Sequence, residues 1–202
     1  MRYKITIVLG LLALISIPAA AQNGNSEVSA SFTGNFQSQA SGLGTTDNAS
    51  NSGGFLLDYR YHFNSWSAIE ADYGRTRYTQ YYEPTGGSTT AQTQANLNQL
   101  TLGYVFTFGG FNFKGIKPFL DAGTGALIFS PVAAGTTTSG FTQDRATFFA
   151  GGGAEWFATH HIGVRAGVRA MIYKAPDFVA AGQITNATTS QLEPYVGVTI
   201  RF

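Results

Sequence analysis

The stretch Ile162-Gly163-Val164-Arg165-Ala166-Gly167-Val168-Arg169-Ala170-Met171-Ile172 decides how this chain folds. Its apolar residues Ile162, Val164, Ala166, Val168, Ala170 and Ile172 all fall on one phase of a two-residue period. Gly163, Arg165, Gly167, Arg169 and Met171 fall on the other. Successive side chains of a β-strand point to opposite faces, so this segment has one continuous apolar face and one face that carries two guanidinium groups.

The same period recurs on both sides of it. Val28, Ala30, Phe32 and Phe36 alternate with polar residues, as do Phe55, Leu57, Tyr59, Tyr61 and Phe63, and Ile69, Ala71 and Tyr73. Further segments hold Leu100 to Phe108, Leu120 to Ile128, Phe148 to Trp156, and Tyr195 to Phe202. With Ile162–Ile172 these make eight strands. The connections Ser38–Ser52, Gln80–Ala95, Ser130–Asp144 and Lys174–Thr188 are long and polar, whereas those at Asn64-Ser65, Gly109–Gly115 and Ala158–His160 are short. A long-short rhythm of this kind suits an antiparallel barrel crossing a membrane, with short turns on one side and long loops on the other.

The charges fix which face meets lipid. Asp58, Arg60, Glu70, Asp72, Asp121, Glu155, Arg165, Arg169 and Arg201 all lie on the phase opposite the apolar residues. Arg75, Arg77 and Arg145 are read as exceptions near the ends of the long loops. A lipid-facing Arg or Lys at mid-depth costs about 2–4 kcal/mol, so segregation by phase is what an outward apolar surface requires. An open sheet would leave unpaired amides in hydrocarbon, so the strands must close. The expected fold is all-β, an eight-stranded antiparallel up-and-down transmembrane β-barrel. A soluble barrel with an apolar core has the same period. Low charge, the glycines on the non-apolar phase and aromatic clusters at segment ends, such as Tyr61, Phe63 and Trp66 or Phe106, Phe108, Phe111 and Phe113, favour the membrane.

Composition agrees. The chain has 202 residues, 44% hydrophobic and 14% aromatic, but only 11% Asp, Glu, Lys and Arg. A soluble protein carries about 25% charged residues, so this chain lacks the means to cover itself in water. It has no cysteine, which excludes disulfides, thiolate metal sites and cysteine nucleophiles. A formal net charge of +1 gives no footing for nucleic acid. Arg2 and Lys4 precede the apolar run Ile5–Ile17, followed by Pro18 and Ala19-Ala20-Ala21. Residues 1–21 therefore read as a cleaved secretory signal peptide, and 22–202 as the barrel domain.

The final residues, Tyr195-Val196-Gly197-Val198-Thr199-Ile200-Arg201-Phe202, resemble the C-terminal assembly signal of bacterial outer-membrane barrels, with Gly197, Ile200 and Phe202 at its matching positions. With the leader and eight strands, the whole mature chain is similar to the small outer-membrane β-barrel family that includes the OmpA transmembrane domain and OmpX-like proteins. The resemblance implies a Gram-negative outer membrane, with insertion by the barrel-assembly machinery. Because the chain stops at Phe202, no periplasmic peptidoglycan-binding domain of the OmpA kind is expected.

Some eight-stranded relatives are lipid A deacylases or palmitoyltransferases that use His, Ser and a carboxylate at the outer end. Here His62, His160 and His161 all lie beside short turns, at the opposite end, so no enzyme is expected. His160 and His161 are adjacent and would point to opposite faces, so they do not form a metal site. Gly123-Thr124-Gly125 and Gly151-Gly152-Gly153 lack the Lys-Ser/Thr ending and the helix of a phosphate cradle. No cofactor is implied. The inward charges are the main lead: a short hairpin at Asn64 places Arg60 opposite an acid in either plausible register, and Glu155 lies across a turn from Arg165. An eight-stranded barrel is just wide enough for side chains to fill, so these groups are expected to bridge a polar lumen.

The expected role is structural or surface interaction, with a narrow porin-like channel for ions or small solutes as the alternative. Partners are outer-membrane lipids, with Arg75, Arg77, Arg145 and Lys174 as candidate contacts to lipopolysaccharide phosphates. The loops, with Tyr81, Tyr82 and Phe141 expected to be exposed, could carry an unidentified ligand.

Overall fold

A computed structural model describes residues 24–84, 91–109, 114–132, 141–178 and 186–202. The expected leader at 1–21, together with Phe111 and Phe113, lies outside them. The described residues form ten strands: β1 Ser26–Gln37, β2 Ala40–Gly42, β3 Thr45–Ala49, β4 Ser52–Asn64, β5 Ser67–Pro84, β6 Ala91–Thr107, β7 Ile116–Pro131, β8 Gln143–Phe157, β9 Ile162–Lys174 and β10 Thr188–Arg201. Eight of them, β1 and β4 to β10, pair antiparallel in succession, and β1 with β10 completes the ring. Every wall strand therefore has a partner on both sides, as hydrocarbon requires.

The side-chain period is realised throughout. Along β9 exposed and buried residues alternate from Ile162 to Lys174, with Arg165 and Arg169 turned inward. The outward face carries Phe32, Leu102, Leu120, Phe148, Val196 and their neighbours, all large, apolar and exposed. At the short-turn end it bears an aromatic collar, in which Phe106 meets Phe108 edge-on at 5.1 Å and Trp66 at 5.9 Å.

The β4–β5 turn settles the register. Ser65 and Trp66 form the turn, Trp66 N donates to Asn64 Oδ1 at 3.0 Å, and a bulge between His62 and Asn64 adds one residue to β4. That extra residue gives the pairing of a three-residue hairpin, Arg60 opposite Glu70 and Asp58 opposite Asp72.

Two of the expected loops are more ordered than their polar sequences suggest. β5 and β6 run 18 and 17 residues, well past the roughly 9–11 that cross a bilayer, and stay paired as far as Tyr82 with Ala91. The segment expected as the loop 80–95 is therefore largely the top of a hairpin. Within 38–52, β2 and β3 form a small hairpin whose turn uses left-handed Leu43 (φ 49°) and Gly44 (φ 78°). β3 docks along the upper part of β5, Thr45 to Ala49 against Pro84 to Gln80, and so lengthens the wall.

Candidate functional site

The interior has two layers. The layer nearer the short turns is ionic. Asp58, Arg60, Glu70, Asp72, Asp121, Glu155, Arg165 and Arg169 are all 5% exposed or less, and Arg201 sits at the rim. All nine inward charges expected from the sequence are thus brought into one compartment. Arg165 donates to Glu70 at 2.9 Å and Glu27 at 3.0 Å, binds Asp58, and lies 3.7 Å from Glu155. Arg60 donates to Glu70 at 2.8 Å and to Glu155 at 3.3 Å, and Arg169 to Asp72 at 2.9 Å. In ring order β4 faces β8 and β5 faces β9, so Arg60–Glu155, Arg165–Glu70 and Arg169–Asp72 span the full diameter.

Aromatic rings complete the layer. The Arg60 and Arg165 guanidiniums lie 4.8 and 5.8 Å from the Phe119 ring, and Arg169 lies 5.3 Å from Phe149 and 5.4 Å from Tyr195. The inner-phase glycines make room for these groups. A Cβ on Gly151 would stand 2.7 Å from Arg169 Cγ and 2.8 Å from Asp121 Oδ1, and one on Gly167 would stand 2.7 Å from the Tyr195 hydroxyl.

Two buried acids belong to the layer and escape a search for charge within the clean alternation. Glu27 is fully buried, receives Arg201 Nε at 2.7 Å and faces His62 Nε2 at 3.0 Å. Glu193 accepts from Gln99 across the lumen at 3.3 Å and lies 3.6 Å from Arg169. Their signal is phase: Glu27 precedes Val28, and Glu193 lies two residues before inward Tyr195.

The layer toward the long loops gathers aromatic and aliphatic side chains among a few buried polar ones, Gln80, Thr93, Thr147 and Gln191, so the expected polar, filled lumen also holds a large apolar cluster. Tyr78, Tyr82, Leu97, Leu127, Phe129, Phe149, Met171 and Tyr173 fill it, each 5% exposed or less. Toward that end the inner phase carries Tyr78 and Tyr82 on β5, Leu97 on β6, Leu127 and Phe129 on β7, and Met171 and Tyr173 on β9, in place of the charges lower down. Tyr82, expected to be exposed, is fully buried, whereas Phe141 is 87% exposed.

A strap of residues, Ala175 to Phe178, closes the mouth. Phe178 packs 6.4 Å from Phe129, its N–H donates to Tyr82 Oη at 3.2 Å, and Tyr82 Oη donates to Pro176 O at 2.7 Å. Arg145 faces inward, a correction to its place among the outward exceptions: it donates to Gln143 Oε1 at 2.6 Å and lies 3.9 Å from Asp177. Asp47 of β3, above the apolar band, is fully buried here and accepts from Gln80 Nε2. Burial pushes the Asp47 carboxyl up to about 7 against that hydrogen bond, and Asp177 adds to the rise. Burial also raises the Tyr82 hydroxyl, with Asp47 adding to the effect.

Besides the bulge in β4, the ladder is interrupted between β1 and β10. Pairing of β1 with β10 runs from Glu27 with Arg201 to Thr33 with Tyr195, then resumes at Phe36 with Leu192. Pro194 falls in the gap, and a proline offers no N–H to the ladder. Thr33 Oγ1 donates to Pro194 O at 3.2 Å instead, and the gap forms a recess of about 480 Å³ bounded by Phe32, Gly34, Pro194 and Val196.

The histidines stay at the short-turn end. His160 and His161 are exposed in the β8–β9 turn, where His161 Nδ1 lies 3.0 Å from Arg201 O. Among the described residues no group of three His, Cys, Asp or Glu is arranged to hold a metal. Of the C-terminal residues, Gly197 lies within the wall against Ser31 and Arg165, Ile200 and Phe202 face outward, and Phe202 N donates to Ser26 O at 2.9 Å to finish the closure.

A closed eight-stranded wall with an apolar exterior and buried ionic interior defines a transmembrane β-barrel. The chain belongs to the outer membrane protein β-barrel domain family, whose pattern matches residues 7–202, and its location is therefore the bacterial outer membrane. It is similar in fold to OprG of Pseudomonas aeruginosa, with a TM-score of 0.64 at 15% identity over 89% of this chain and 96% of that one. It is also similar to neisserial surface protein A, with a TM-score of 0.59 at 19% identity over 89% of this chain and 98% of the other. A search of curated proteins found no match.

Proposed function

We propose that this protein is a closed, non-enzymatic barrel that holds its long-loop end at the cell surface for structural or interaction purposes, rather than a passage for solutes. One observation carries this reading: the interior is filled at two levels, by the ion pairs around Arg165 and by the aromatic layer under the Ala175–Phe178 strap. Water and ions crossing the barrel would have to part both. The tall β5–β6 hairpin, with β3 beside it, supplies a projecting paired surface that suits contact with other molecules. The surface protein among its structural neighbours is consistent with such a role.

In this reading residues 1–21 direct export and are removed. The barrel-assembly machinery then recognises the C-terminal strand through Gly197, Ile200 and Phe202. Both chain ends lie with the short turns, in the periplasm.

A narrow ion path is the second reading. Both carboxylate oxygens of Asp121, Arg60 Nη2 and Arg169 Nη2 are buried without a hydrogen-bond partner among the described residues, which is where water would enter. Single-channel recording separates the two readings. Mature chain refolded into a planar bilayer, with folding verified by the altered migration of unboiled samples, is expected to be electrically silent. Steady conductance that changes with Arg165→Ala would establish the channel instead.

A further inference from the structure

The outward face of the β5–β6 hairpin changes character at one level. Below it lie Ile69, Ala71 and Tyr73 on β5, with Leu100, Leu102 and Tyr104 on β6. Above it the outward positions are Arg75, Arg77 and Thr79, facing Asn98, Asn96 and Gln94. The apolar band therefore ends between Tyr73 and Arg75, and the first two rungs beyond it each hold one guanidinium and one amide. Arg75 and Arg77 are both exposed and are two residues apart on the same face, about 7 Å along the strand.

Their surroundings differ. Arg77 Nε donates to Asn96 Oδ1 at 2.8 Å, and Asn98 accepts from Tyr73 Oη at 3.1 Å, whereas no side-chain partner engages the Arg75 guanidinium among the described residues. Arg75 lies beside Phe55 of β4, still within the apolar band, so its guanidinium stands where hydrocarbon gives way to headgroups. Beyond Asn98 the rim continues through Ile128 to exposed Asp144, the nearest acid along this row. Lys174 tops β9 in the same way, exposed just above outward Ile172, and lies 3.3 Å from Asn186. Arg145 takes no part because it turns into the mouth.

Placed at this depth, a paired fork of donors meets the phosphates of the outer leaflet before anything else. Guanidinium groups bind phosphate through two parallel hydrogen bonds, and partial exclusion of water at the headgroup level strengthens the contact. We infer that Arg75 and Arg77, with Asn96 and Asn98, form a binding site on the barrel's outer wall for the phosphate groups of an outer-leaflet glycolipid, with Lys174 as a separate, weaker contact. The inference deepens the surface reading above and rests on the long-loop end facing outward.

The test uses the mature chain refolded into phosphatidylcholine vesicles doped with bis-phosphorylated lipid A, or with the same lipid after removal of its phosphates. Lipid retained through detergent extraction is quantified by mass spectrometry. The wild type is expected to retain the phosphorylated form about tenfold over the dephosphorylated form, Arg75→Gln/Arg77→Gln to fall to near parity, and Lys174→Gln to keep most of the preference. Equal retention of both lipids by the wild type, or an unchanged preference in the double variant, overturns the site. So does full competition by millimolar inorganic phosphate, which would indicate a soluble anion as the ligand. The comparison of the two lipids needs no variant, so a double variant that does not fold leaves the test intact. Because the lipid occupies both leaflets, retention does not depend on insertion direction; labelling of Ser41→Cys on intact cells tests the outward orientation separately.

Discussion

Arg165 on β9 donates a 2.9 Å hydrogen bond to Glu70 on β5, the strand diametrically opposite it in the ring. Ninety-five residues separate the two in the chain, and the bond ties one half of the wall to the other. It is the centre of a cluster in which the same guanidinium also serves Glu27 and Asp58.

Truncation of Arg165 leaves four buried carboxylates, Glu27, Asp58, Glu70 and Glu155, short of a shared cation. Removing one member of a buried ionic cluster costs about 3–5 kcal/mol. Arg165→Ala is therefore expected to lower the urea midpoint of the refolded barrel markedly, and an unchanged midpoint would show that the cluster does not hold the walls together.

The seam at Pro194 yields a different kind of prediction. The Pro194 carbonyl is directed at β1, where Thr33 Oγ1 donates to it, so an amide at the same residue would face β1 as well. Pro194→Ala is expected to close the gap opposite Gly34 and slow amide exchange at Gly34 about fivefold, the equivalent of one net hydrogen bond of about 1 kcal/mol. Exchange rates identical to wild type in nanodiscs would show that the gap is set by something other than the missing N–H.

Asp47 makes the closed mouth depend on pH. Its carboxyl is pushed up to about 7 where β3 lies along β5, against an ordinary value of 3.8, so the closed mouth with β3 docked binds a proton that the undocked, opened form releases. The closed form is thus fully favoured below about pH 4 and loses that advantage as pH rises through 7. Limited proteolysis of the long-loop end is expected to accelerate from pH 5 to pH 8 in the wild type and to stay flat in Asp47→Asn. An equal acceleration in the variant would assign the pH response to another group.

Gly153 tests how tightly the wall and its contents fit. A Cβ there would collide with the Ala166 carbonyl oxygen and lie 2.9 Å from the Phe119 ring that carries Arg60 and Arg165. Overpacking of this kind costs about 1–3 kcal/mol. Gly153→Ala is expected to lower the urea midpoint accordingly. Gly53→Ala, where the nearest atom is 3.7 Å away, should leave it unchanged. Equal midpoints for the two variants would refute the steric argument.

The wall was legible in the sequence because a strand's two-residue period is a local property: Ile162 to Ile172 declares its faces without help from the rest of the chain, and hydrocarbon outside forces every inward charge onto the opposite phase. The nine inward charges, the eight wall strands and the likeness of the last residues to an assembly signal all follow from that period. What spans the lumen is another matter. Whether Arg165 meets Glu155 beside it or Glu70 across from it depends on the tilt and closure of the barrel, which no single strand encodes. The same holds for the aromatic layer, where Tyr82, Phe129 and Phe178 come from three separate segments, and for the carboxyl of Asp47, whose burial is created only when β3 lies down along β5, whereas inward Arg145 keeps the phase of Thr147 and Phe149 on its own strand. Local pattern determined which face each residue takes; only closure in three dimensions decided what it meets there, because those contacts are made between strands far apart in the chain.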